Sequence, residues 1–100
     1  METAKVKLVT IVAGSELEPR LEAELKHHGA VGYTSTRVEG RGVHGVRKEG
    51  ILDTGNVRIE SLVSPEIAHK LLQRLAREYA DWPFIAFAQD VEAVPRERFE

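Results

Sequence analysis

The sequence predicts the α+β class: a ferredoxin-like sandwich in the order β-α-β-β-α-β, packed sheet to sheet as a homo-oligomer. Three observations carry this. Segments rich in β-branched residues alternate with stretches whose apolar residues recur at helical spacing. The order makes a split pair of βαβ units, and right-handed crossovers set both helices on one face of an antiparallel sheet. The strands also carry Val, Ile and Phe on the face that those helices would leave bare, and an exposed apolar face calls for a partner.

The elements follow in order. Lys5 to Val12 (KVKLVTIV) reads as a strand, with Val6, Leu8 and Val12 on one face and Val9 and Ile11 on the other. Ser15 is a candidate N-cap, with Glu16 and Glu18 in the first turn, where the helix dipole favours acids. Leu17, Leu21 and Leu25 then form one stripe, and Gly29 after His27 and His28 suits a helix end. Val31 to Val38 is the second strand and Asn56 to Val63 the third. Ser64-Pro65-Glu66 starts a second helix whose stripe is Ile67, Leu71, Leu72, Leu75 and Tyr79. Asp81-Trp82-Pro83 ends it, and Phe84 to Gln89 is the last strand.

One hundred residues, 42% of them hydrophobic, make a single domain with a small core, which self-association would help. Fourteen basic against sixteen acidic residues argue against a nucleic-acid or membrane-surface binder. No cysteine means no disulfide, no thiol catalysis and no thiolate zinc site, and it suits the cytoplasm. Neither a signal peptide nor a bilayer-spanning run is expected.

The connection between the second and third strands, Glu39 to Gly55 (EGRGVHGVRKEGILDTG), exceeds what a hairpin needs. Arg41, His44, Arg47 and Lys48 lie among its glycines, so backbone N–H groups and guanidinium forks could meet an anion there. Asp53-Thr54-Gly55 also matches the motif of dimeric aspartic proteases, but that fold is almost all β and the helical stripes argue against it.

The chain resembles the PII signal-transduction superfamily, trimers whose long second connection is called the T-loop. Gly32-Tyr33-Thr34 followed by Val38-Glu39-Gly40-Arg41-Gly42 is similar to the segment leading into that loop. Val91-Glu92-Ala93-Val94-Pro95-Arg96-Glu97-Arg98 is similar to the superfamily's tail. The loop contains no tyrosine, and Asp81-Trp82-Pro83-Phe84 stands where a glycine-rich, lysine-bearing turn is usual. These departures argue against ordinary nitrogen sensing. The resemblance is closer to the PII-like branch linked to inorganic carbon: carboxysome-associated members and regulators of bicarbonate transporters. It implies one domain over 1–100, with the T-loop about 39–55 and the tail about 91–100. It implies a signalling protein without catalysis or cofactor that binds AMP or ADP between subunits, with bicarbonate as a second ligand and a transporter or carboxysome component as target. Ordering of the loop's first half, as far as Arg47, would carry the signal.

The expected ligand residues are Thr34, Thr36, Gly40, Arg41, Gly42, His44, Arg47, Phe84, Ile85, Arg96 and Arg98. Arg41 and Arg47, with the Gly40 and Gly42 amides, would hold phosphate; otherwise they belong to a solvated loop. Thr34 and Thr36 share a strand face and would meet ribose or base, or else pair across the sheet. Phe84 and Ile85 would wall an adenine or pack in the core. Arg96 and Arg98 would converge on one anion from an extended tail, or else fray. His44 suits an anion better than a metal. The rival readings are a trimeric ferredoxin-like metal-tolerance protein and a trimer whose loop binds only protein.

Overall fold

A computed structural model of the chain describes residues 2–39 and 55–99. The elements are β1 (Ala4–Gly14), a one-turn 3-10 helix (Ser15–Leu17), α1 (Glu18–His27), β2 (Thr34–Val38), β3 (Asn56–Val63), α2 (Pro65–Glu78), β4 (Phe84–Ala93) and a C-terminal 3-10 turn (Arg96–Phe99). The four strands form one antiparallel sheet in the order β2-β3-β1-β4. This is the predicted ferredoxin-like frame, with both helices on one face.

The periodicities explain the core. Val9, Ile11 and Ala13 of β1 and Val57, Ile59 and Val63 of β3 point to the helix side, where Leu17, Leu21, Leu25, Ala68, Leu71, Leu75 and Tyr79 meet them. Phe84, Ala86 and Ala88 of β4 pack at its margin. Ala68 joins the predicted stripe of α2, whereas Leu72 is only half-buried.

Helix ends depend on short-range chemistry. At Ser64 the hydroxyl accepts from Ile67 N at 3.2 Å, with Pro65 in the first turn, as the sequence indicates. α1 ends in a Schellman motif: Gly29 N donates to Lys26 O at 3.1 Å and Ala30 N to Leu25 O at 3.0 Å, with Gly29 at φ +90°. Ser15 does not cap α1. The residue before that helix is Leu17, which makes no side-chain cap, because the 3-10 turn places Ser15 a turn too early.

Two further boundaries differ from expectation. β2 begins at Thr34, since its ladder with β3 stops at Thr34–Glu60 and residues 31–33 lie beyond it. β4 runs on to Ala93, because its pairing with β1 continues to Ala4–Ala93. Part of the expected tail is thus sheet.

Glu24 of α1 joins the two helices. Its side chain is only 11% exposed; it accepts from Arg74 Nε at 3.2 and 3.3 Å and from Tyr79 Oη at 3.0 Å. Nearby, the Arg20 guanidinium lies 5.5 Å from the centre of the Trp82 ring.

Candidate functional site

The sheet face away from the helices carries Val6, Leu8, Thr10 and Val12 of β1, Arg58, Glu60 and Leu62 of β3, Ile85, Phe87 and Val91 of β4, and Thr34 and Thr36 of β2. The C-terminal 3-10 turn folds back toward this face and packs on β1. With the segment before β2 it encloses a cleft of about 520 Å³. Leu8, Val31, Leu62 and Phe99 supply apolar walls, Tyr33 a half-exposed ring, and Thr34, Glu60 and Arg98 the polar groups.

Register explains the cleft. Leu8 lies opposite Leu62, and Thr34 opposite Glu60, so residues remote in sequence share one corner. Residues 31–33 diverge from β3 and open the corner; Ser61 Oγ, donating to Gly32 O at 2.6 Å, holds them there. The Tyr33 phenol is pushed up from its ordinary pKa by partial desolvation and by its hydrogen bond to Glu22. Apolar walls, hydroxyls, one carboxylate and one guanidinium suit a heteroaromatic ring bearing an anionic group.

Of the expected ligand residues, the structure brings Thr34 and Arg98 together at this cleft. Thr36 stands on the same face, opposite Arg58, but outside the lining. Arg96 diverges: the tail is a 3-10 turn rather than extended, so residues two apart do not share a side, and Arg96 Nη1 pairs with Glu2 Oε1 at 3.3 Å. Phe84 and Ile85 sit on the opposite edge strand, three strand spacings or about 14 Å from β2. Phe84 packs on the helix-side core and Ile85 points to the bare face, so they do not form one wall. Gly40, Arg41, Gly42, His44 and Arg47 lie outside the described residues, as does Asp53. Glu60, Leu62, Leu8 and Phe99 were not expected at the site; the alternation of β3 marked Glu60 and Leu62 as facing away from the core, but not toward Thr34.

The model of the family described as "Nitrogen regulatory protein P-II" matches residues 6–98. The chain belongs to the P-II family. A solved structure of a PII-like signaling protein from Thermus thermophilus is 42% identical to this P-II chain, with all of both chains covered and a TM-score of 0.85. Two structures of CPII from Thiomonas intermedia show the same fold at lower identity. One, bound to ADP, AMP and acetate, is 18% identical, with a TM-score of 0.82 over 99% of this chain and 98% of its own. The other, bound to ADP and bicarbonate, is 20% identical, with a TM-score of 0.83 over the same shares. No curated protein matches the sequence. P-II membership and the two helices set aside the aspartic-protease reading of Asp53-Thr54-Gly55. Among the described residues, no three His, Asp or Glu side chains cluster as a metal site.

Proposed function

We propose that this P-II family protein is a regulator without catalytic activity that senses adenine nucleotide, AMP or ADP, as a homotrimer. The observation that carries the reading is the cleft that joins Thr34 with Arg98 from the far end of the chain. The apolar walls would take adenine, Thr34 and Glu60 would meet its polar edge or the ribose, and Arg98 would face phosphate. The ADP and AMP bound by CPII support this ligand class, and the bicarbonate bound by CPII supports bicarbonate as a second ligand.

The trimer would bury the bare sheet face, where Ile85 and Phe87 are 46% and 45% exposed. A neighbouring copy would bring Ile85, and phosphate ligands such as Arg41 and Arg47, to the cleft from outside the single chain. Ligand-dependent ordering of the 39–55 segment would then change the surface shown to a target concerned with inorganic carbon, a bicarbonate transporter or carboxysome component. Ordering costs about 1–2 kcal/mol per residue. A charge-assisted hydrogen bond returns about 1.5–3 kcal/mol. A few such bonds stabilise only part of the segment, which favours its first half through Arg47.

Calorimetric titration with ADP and AMP, with and without bicarbonate, tests the reading. Arg98→Ala and Arg47→Ala are each expected to weaken binding about tenfold or more, the loss of one charge-assisted contact. Unchanged affinity in Arg98→Ala would remove this cleft as the site. No heat or thermal shift with any adenine nucleotide would leave a trimer that binds only protein.

A further inference from the structure

Ser15 holds both ends of the 39–55 segment. Its N–H donates to Gly55 O at 2.9 Å. Its hydroxyl accepts from Arg37 Nη1 at 3.1 Å. Two residues before Arg37, Ser35 Oγ donates to Glu18 Oε2 at 2.5 Å. Three bonds therefore join β2 and Gly55, the first residue of the returning stem, to the 3-10 turn and the first residue of α1. The β2–β3 ladder ends at Val38–Asn56, so the tie sits at its last rung.

Gly55 has φ +83°, which L side chains adopt only with strain, and a Cβ there would lie 4.0 Å from Arg37 Nη1. The left-handed backbone of Gly55 is what lets the returning stem present its carbonyl to Ser15 N.

We infer that Ser15 and Arg37 are positioning residues: they fix where and in which direction the 39–55 segment leaves the sheet. Fixed stems remove conformational freedom that the segment would otherwise lose on meeting a ligand, so the tie raises affinity without touching the ligand. The affinity part rests on the nucleotide reading; the tie itself does not.

The full-length chain tests this with Ser15→Ala, Arg37→Gln and the double variant. Trypsin cleavage at Arg41, Arg47 and Lys48 reads the segment without ligand, and calorimetry reads ADP affinity. Each single change is expected to speed cleavage and weaken ADP by about three- to tenfold, the worth of one exposed hydrogen bond. The double variant is expected to fall short of the sum of the singles, since both changes break the same Ser15–Arg37 bond. Ser15→Thr, which keeps the hydroxyl, restores both readouts, and the melting temperature does not move. Wild-type cleavage rates in the singles, or additive effects in the double, overturn the inference. Coupled cleavage effects in a protein that binds no nucleotide sustain the tie and reject the nucleotide reading instead.

Discussion

Glu24 is a carboxylate placed almost out of water and matched with donors that satisfy it. Arg74 and Tyr79 reach it from α2 and from the residue after α2, and His28 Nδ1 donates to its backbone carbonyl at 2.8 Å. Replacing it with Ala would leave the Tyr79 hydroxyl without its acceptor and Arg74 with Glu78 alone, at 3.4 Å. Such a loss costs about 1–3 kcal/mol. Urea unfolding of Glu24→Ala measures it, and a midpoint equal to wild type would show the cluster to be ornamental. Burial of the ring, then the bond to Glu24, push the Tyr79 phenol up from its ordinary 10.0. A raised pKa favours the protonated, folded form. The stability it brings is complete below the unfolded value, near pH 10, and fades as pH rises through the folded value. Melting temperature followed from pH 8 to 11 should therefore fall less steeply in Tyr79→Phe than in wild type. Tyr33→Phe is the necessary companion, because its phenol is raised too. None of this was legible in the sequence. Glu24 is one of sixteen acids, and only the packing of α1 on α2 distinguishes it.

Helix ends were legible because their chemistry is local. Gly29 shows this best: its φ of +90° is left-handed, and a Cβ there meets only Ile67 Cδ1 at 3.8 Å, an ordinary contact. Gly29→Ala should thus cost backbone strain alone, about 1–2 kcal/mol. Loss of the Ser64 cap in Ser64→Ala should cost about 1 kcal/mol. Guanidinium unfolding of both variants checks the two figures, and a Gly29→Ala protein as stable as wild type would deny the strain. Ser15 misled for an instructive reason. Ser followed by acids looks like a cap, but a 3-10 turn intervenes, and the hydroxyl serves Arg37 from another strand. The tail misled likewise: nothing local in Pro95-Arg96-Glu97-Arg98-Phe99 distinguishes an extended run from a turn that folds onto β1.

At the scale of the molecule, the bare sheet face is the largest unmet demand. Phe87 and Ile85, partly open to water, lie on its edge strand β4, across the sheet from the β2 side of the cleft that holds Thr34 and Arg98. If copies pack there, a charge at Phe87 would be desolvated without a partner. Phe87→Glu is expected to yield monomer in light scattering and to lose ADP binding together with assembly. A Phe87→Glu protein that remains trimeric would place the interface elsewhere. Nucleotide affinity retained by the monomer would show the cleft complete within one chain.

The sequence by itself determined the element order, the buried stripes, the capping at Ser64 and Gly29 and the family. The elements, stripes and caps depend on periods of two or 3.6 residues, or on contacts within one turn, which neighbouring residues dictate, and the family on the motifs around 32–42 and 91–98. Only the tertiary structure decided that Arg98 meets Thr34 while Arg96 turns to Glu2. It alone set Phe84 and Ile85 on the far edge and made Ser15 a tie rather than a cap. Those outcomes depend on register and on which strands become neighbours. Both are fixed by burying the whole core at once, and no local stretch of residues encodes them.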